Sequence, residues 1–449
     1  MRVLWLCNIC LPIVAEQIGL TASNKEGWLT GLSNRILDDK TSRIELGVCF
    51  PMLDPQVPQK TEVPVREGCQ LTAYSFAEDV HAAEIYRPEM ETRFQEILAD
   101  FQPDLIHCFG TEYPHTLALV KAFGRPERTL IGIQGLCAVY AEHFRADLPD
   151  QVWNKTTFRD IVKHDNLRLQ QQKYVQRGVH EKEAIALTGH VTGRTPWDKK
   201  YTQEWNPNAK YHFMNETLRA NFYEGMWSLE NCHRHRIFVS QGDYPIKGLH
   251  YLLEALPKIL QKHPDAEVYV AGNSIVKTSL ERGISGIKGY MKLESYGRYI
   301  RQLLLQKVTI QGQELCLKDR VTFLGSLTAD EMKQAYLAAG VFLCPSSIEN
   351  SPNSVGEAMI LGMPVVCADV GGISGIFRGV TAGSDMATAD GFFYPVADTD
   401  ALANAVTAAL QNDGSVYQMC MNARAHALQT HDPENNYQRL LEIYQTLME

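Results

Sequence analysis

Short apolar runs rich in β-branched and aromatic residues alternate with longer amphipathic stretches along almost the whole chain, the pattern of parallel strands joined by crossover helices. Strand candidates in the first half are Val3–Ile9, Ile44–Phe50, Leu71–Phe76, Leu105–Phe109, Leu130–Ile133 and His190–Thr192. A second series opens at Ile237–Val239. It continues through Glu267–Ala271, Val321–Leu324, Val341–Leu343 and Val365–Cys367 to Phe392–Tyr394. The pattern predicts an α/β protein with two doubly wound parallel sheets. A polar stretch within Lys210–Cys232 separates the two series, which puts an N-terminal domain at 1–214 and a C-terminal domain at 215–430. Ala401–Leu410, Val416–Leu428 and Tyr437–Leu447 read as helices. The last follows Asp432-Pro433, and the segment 431–449 is expected to return to the first domain. No short internal period is present.

Composition narrows the class. At 449 residues, 45% hydrophobic and 21% charged, the chain is too long for one ordinary core and suits two globular domains. A net charge of −9 and the lack of a basic low-complexity tail argue against nucleic acid as a partner. Cysteines such as Cys7, Cys49, Cys344 and Cys367 lie inside apolar runs, as reduced packing thiols do, which favours a cytoplasmic location. The apolar start Met1–Leu11 has the length of a signal core, but no small-residue cleavage pattern follows, and it reads as a buried first strand. No other run approaches the ~18 apolar residues of a spanning helix. Any membrane contact would be peripheral, at the inner face.

In open α/β sheets ligands bind beyond the carboxyl ends of the strands, so the residues closing each strand carry the chemistry. Those are Asn8, His107, Gln134 and Gly193-Arg194-Thr195 in the first half, and Gln241, Asn273, Ser346 and Glu349 in the second. The segment Cys344-Pro345-Ser346-Ser347-Ile348-Glu349-Asn350-Ser351-Pro352-Asn353-Ser354-Val355-Gly356-Glu357 joins an apolar run to a helix-like one. Its two carboxylates can grip hydroxyl groups. The helix starting near Ser354 points free N–H groups and its positive dipole end at the same space, a seat for phosphate. Hydroxyls plus phosphate describe a nucleotide sugar. Lys247, in Tyr244-Pro245-Ile246-Lys247-Gly248, stands between a strand and a helix, where a cation neutralises a departing diphosphate without a metal. A solvated lysine is the plainer alternative. Gly27, at a helix start after the first strand, lets backbone approach a phosphate or sugar closely.

Together with Gly371-Gly372-Ile373 these pieces resemble the retaining glycosyltransferases of family 4, of the kind used in bacterial surface polysaccharide assembly. The resemblance is strongest over Ile237–Val396, where strand-lysine-glycine, Val321-Thr322-Phe323-Leu324-Gly325, Pro345-Ser346, the glutamate pair, Gly362-Met363-Pro364-Val365-Val366 and Gly371-Gly372 occur in the family's order. It implies the GT-B architecture of two facing doubly wound domains with the active site in the cleft. It also implies that Glu349 lies against the donor sugar, that Glu357 accepts from the ribose hydroxyls, and that Lys247 binds the diphosphate. Asn350, Asn353, Ser354 and Val355 would offer backbone N–H groups, and Gly325 and Ser326 would seat the base.

Three positions depart from the family pattern. Gln241 and Gly242 stand where relatives carry an arginine; Arg194 would supply the missing charge across the cleft, or else form an ion pair. Pro352 replaces a glycine N–H donor. Gln134 occupies the place of a histidine near the reacting centre, with His107 as an alternative polar contact or a structural histidine.

Other features have plainer readings. Glu112 and His115 suit helix-start roles, and Asp398-Thr399-Asp400 suits a cap better than a metal pair. His233-Arg234-His235 lacks spaced partner ligands, so no metal is assigned. Lys277–Lys307 carries Lys277, Arg282, Lys288, Lys292, Arg298, Arg301 and Lys307 against Glu281 and Glu294, which suits anionic lipid, an acidic acceptor or a solvated helix face.

The expectation is a metal-independent retaining transferase, without a cofactor. It would move a hexosyl unit from a nucleoside-diphosphate sugar to a hydroxyl of a glycan or lipid-linked glycan. A sugar-nucleotide epimerase or phosphorylase, and a non-catalytic partner subunit, are the alternatives.

Overall fold

The computed structural model describes the chain apart from residues 22–26, 54–56, 68 and 412. The fold divides into two compact units. The first comprises Met1–Ala141, Lys173–Arg219 and His431–Glu449, and the second Glu142–Gln172 and Ala220–Thr430.

The first unit holds an eight-stranded sheet of β1 (Arg2–Leu6), β2 (Glu45–Pro51), β3 (Lys60–Arg66), β4 (Cys69–Phe76), β5 (Leu105–Phe109), β6 (Thr129–Gly132), β7 (His190–Gly193) and β8 (Lys210–Phe213). Their order is β3-β4-β2-β1-β5-β6-β7-β8. Every neighbour pair is parallel except β3 with β4. Edge strand β3 escapes the sequence pattern because it is mostly solvent-facing and contains Pro64, which only an edge tolerates. The apolar N-terminus is the sheet's central strand, with Trp5 fully buried. The helix Pro433–Met448 inserts Tyr437, Leu440, Ile443, Tyr444 and Leu447 into the same core as Trp5 and Leu105.

The second unit holds seven parallel strands: β9 (His233–Val239), β10 (Glu267–Ala271), β13 (Val321–Gly325), β14 (Ala339–Cys344), β15 (Val365–Ala368), β16 (Gly379–Val380) and β17 (Gly391–Tyr394). Their order is β13-β10-β9-β14-β15-β17-β16. A separate antiparallel hairpin, β11 (Lys307–Ile310) and β12 (Gln313–Cys316), turns through Gln311 and Gly312. Both have positive φ, as a two-residue hairpin turn demands.

The two doubly wound sheets expected from the alternation are therefore present. The segment 142–172 differs, since the sequence boundary put it in the first half. It clusters with the second unit, where the Tyr251 hydroxyl donates to Asp147 at 2.6 Å and the Gln170 amide donates to Glu294 at 2.7 Å. The unit boundary near the join falls at Arg219/Ala220 rather than at 214/215.

Candidate active site

In the second unit the chain leaves β9 towards β10 and β13 on one side, while β14 pairs with β9 on the other. The direction of winding therefore reverses between β9 and β14, which opens a crevice at their carboxyl ends. Lys247 follows β9 on the turn Pro245–Lys247, and Glu349 follows β14.

Two glycines hold these loops together. Gly248 has φ of +69°, and a Cβ there would lie 1.9 Å from the Pro345 carbonyl oxygen. Ser347 N–H donates to the Ile246 carbonyl at 2.7 Å across the same approach. Gly371 has φ of +56° and would place a Cβ 1.9 Å from the Glu349 carbonyl oxygen, which accepts from Gly372 N–H at 2.9 Å. Any side chain at either position meets backbone, not a yielding side chain.

Lys247 Nζ is 2.6 Å from Glu349 Oε1, and the Ser346 hydroxyl donates to the same oxygen at 2.8 Å. Glu349 and Ser346 are buried. A buried carboxylate is costly unless paired and hydrogen-bonded, and here it is both. The helix Asn353–Leu361 begins just beyond, with Pro352 at its N-cap offering no side-chain acceptor. The buried Ser351 Oγ has no protein partner. Glu357 is buried one turn into the helix. The Tyr336 hydroxyl lies 3.1 Å from Ser354 O and 3.4 Å from Glu357 Oε2, so one phenolic proton serves both.

At the neighbouring strand ends, Gly325 closes β13 with φ of +83° and its carbonyl accepts from Gly272 N–H at 2.9 Å. Ser326 Oγ is 3.2 Å from Asn273 Oδ1, and Gln241 lies beside Gly272. The structure thus places Gln241, Lys247, Gly325, Ser326, Glu349, Asn350, Asn353, Ser354, Val355 and Glu357 at or beyond the carboxyl ends of β9, β13 and β14 in one sheet.

Gln134, His107, Arg194 and Gly27 belong to the first unit. Gln134 Nε2 donates to Glu216 Oε1 at 2.6 Å, and Arg194 Nη1 is 2.6 Å from Glu216 Oε2. Arg194, expected as a phosphate clamp, is thus tied into a buried ion pair within its own unit. His107 is fully buried, which pushes its imidazole down to about 3 and keeps it neutral. The Tyr444 hydroxyl accepts from Trp5 Nε1 at 2.8 Å, leaving its own proton for His107 Nδ1 at 2.9 Å. The imidazole proton then sits on Nε2, which has no protein partner and lines a cavity of about 20 Å³ together with Gln134, Thr192 and Glu216. That space suits one water molecule. At Gly27 a Cβ would lie 2.2 Å from Arg219 Cγ, so the glycine makes room for a side chain.

Glu112 and His115 differ from simple helix caps. Glu112 accepts from Gly135 N–H at 3.0 Å, and burial raises its carboxyl above the usual range. His115 bonds Glu78 and lies 3.0 Å from Asn8 Oδ1. Asp398 caps its helix, accepting from Ala401 N–H at 2.8 Å. Among the described residues, no cluster of three or more His, Cys, Asp or Glu is arranged to hold a metal, and no helix is long and apolar enough to cross a membrane.

Sequence reasoning missed Glu216 and Tyr336. Glu216 sits in a stretch that reads as linker, and Tyr336 in an ordinary amphipathic helix; each joins its site only through contacts distant in sequence.

Residues 233–426 match the family model described as glycosyl transferases group 1. An uncharacterized glycosyltransferase of Methanocaldococcus jannaschii is 24% identical over 257 residues, which cover 57% of this chain and 53% of the relative. The chain spans about half the length of the curated relatives it matches. Among solved structures, sucrose-phosphate synthase from Thermosynechococcus elongatus superposes with a TM-score of 0.66 at 16% identity, covering 100% of this chain and 99% of that one. HepE of Anabaena, in complex with UDP-glucose, gives 0.62 at 15% identity, covering 99% of each. The chain has the GT-B fold, and its stretch 233–426 is similar to the glycosyl transferases group 1 family.

Proposed function

We propose that the protein is a retaining, metal-independent glycosyltransferase that moves a hexosyl unit from a nucleoside-diphosphate sugar to a hydroxyl of a glycan or lipid-linked glycan. The observation that carries this reading is the meeting of the Lys247 turn and the Glu349 loop at the reversal between β9 and β14, with a helix N-terminus beside them. Cation and helix start supply fixed positive potential where a diphosphate gains charge as it leaves. Glu349, oriented by Lys247 and Ser346, faces the sugar hydroxyls, and Glu357, oriented by Tyr336, takes the ribose. Gln241, Gly325 and Ser326 border the base. Asn350, Asn353, Ser354 and Val355 line the phosphate and sugar. The bound UDP-glucose of the HepE structure supports a donor of this class.

No protein nucleophile stands on the sugar side in this reading, so attack occurs on the face the diphosphate leaves, and the anomeric configuration is kept. Acceptor recognition falls to the first unit, where Gln134 and Arg194 follow the carboxyl ends of β6 and β7. Uridine, guanosine and adenosine diphosphate sugars, offered with glycan acceptors and followed by nucleotide release and anomeric proton couplings, test the proposal. Transfer with retained configuration is expected. Isomerised donor without transfer, an inverted product, or no turnover with any donor contradicts it.

A further inference from the structure

Two helices of the second unit are built inside out. The helix Gly283–Met291 turns Gly286 and Gly289 inward, where a Cβ would lie 2.0 Å from the Glu281 carbonyl oxygen and 2.7 Å from Ser279 N. Its large apolar residues face solvent: Ile284 is 72% exposed and Ile287 64%. The helix Phe158–Lys163 does the same. It buries Asp160, which bonds Thr157 N–H at 2.8 Å, and exposes Phe158 at 57% and Ile161 at 61%. Core-facing helices normally bury their apolar stripe, so two outward stripes point to something that covers them.

A groove of about 710 Å³ is lined by Lys155, three residues ahead of the second helix, and by Tyr290 of the first, together with Arg298 and Arg301. Among the described residues none of Lys155, Arg298 and Arg301 is in an ion pair, and the buried Arg298 Nε has no hydrogen-bond partner. Both guanidinium groups lie over the Tyr290 ring, at 4.8 and 5.2 Å from its centre. Lys288 and Lys292 are exposed beside the isoleucines.

We propose that this face docks on an anionic lipid bilayer, with Ile284, Ile287, Phe158 and Ile161 entering the headgroup boundary and the groove cations holding lipid phosphates. Exposed apolar side chains with cations outside any ion pair close by fit that surface: the first group needs an apolar phase and the second needs fixed negative charge. The inference goes beyond the transfer reaction and does not depend on which sugar is moved.

Flotation of the full chain with vesicles tests it. Binding is expected to phosphatidylcholine vesicles carrying about one-third phosphatidylglycerol, with at least tenfold weaker binding to phosphatidylcholine alone and a marked loss in 0.5 M salt, on the order of what surface charge attraction predicts. Ile284→Asp with Ile287→Asp, and separately Lys155→Gln with Lys288→Gln, should each reduce binding about tenfold while the melting temperature stays within a few degrees. All four positions are exposed, so folding should be unaffected. The proposal is overturned if the parent does not float with anionic vesicles, or if both variants float like the parent. It is equally overturned if the parent is a dimer in solution that Ile284→Asp with Ile287→Asp dissociates.

Discussion

The ammonium of Lys247 lies 2.6 Å from a carboxylate oxygen of Glu349, although 102 positions separate them in the chain. Each side chain holds the other in place, and the Ser346 hydroxyl donates to the same carboxylate oxygen. In the proposed reaction a donor diphosphate entering here would meet a cation already positioned, with little reorganisation left at the moment of bond cleavage.

Lys247→Ala should therefore cost about 10²- to 10³-fold in turnover, the size of losing one preorganised charge at a departing oxyanion. Nucleotide release measured at saturating donor checks this. Unchanged turnover would remove Lys247 from the reaction.

Tyr336 holds Glu357, the carboxylate proposed to take the ribose, through a single hydroxyl. Tyr336→Phe should raise the donor KM about three- to tenfold, the worth of one hydrogen bond at ~1 kcal/mol, with kcat little changed. An equal fall in kcat would mean that Glu357 orders more than the ribose.

Gly371→Ala sets a new Cβ against the Glu349 carbonyl in backbone that favours glycine. It should lower stability by about 1–3 kcal/mol and activity by more than that loss explains, because Glu349 must move. Thermal melting and turnover on the same preparation separate the two effects. A variant with lowered stability and unchanged turnover would show that the Gly371 contact serves only the fold.

Burial sets a pH limb through His107. Its imidazole is held down to about 3 in the folded chain, whereas an unfolded histidine titrates near ~6.5. Below that the unfolded state takes a proton the folded state refuses, so stability is complete above pH ~6.5 and falls as pH drops towards 3. His107→Gln should flatten the decline in melting temperature between pH 6.5 and 5. A slope identical to the parent's would mean that His107 accepts a proton in the fold.

The places of Lys247, Glu349 and Glu357 in the fold were legible because each follows a strand or lies near a helix start, where the local pattern marks the position. The central strands were legible for a similar reason: burial on both faces makes them continuous apolar runs, as in β1 and β14. Edge strand β3 and the β11–β12 hairpin are half-exposed and polar, so nothing apolar marks them. The excursion of 142–172 into the second unit begins inside a helical stretch with no linker composition to announce it. Glu216 shows the same limit at the level of a site, since only the fold brings it to Gln134 and Arg194.

Calorimetric titration with uridine, guanosine and adenosine diphosphates tests the central claim most directly. At least one should bind the parent chain with a micromolar to millimolar Kd, and Lys247→Ala should weaken that binding at least tenfold, or about 1.4 kcal/mol. Binding of none of the three, or equal binding by the parent and the variant, would contradict the placement of a nucleoside diphosphate at Lys247.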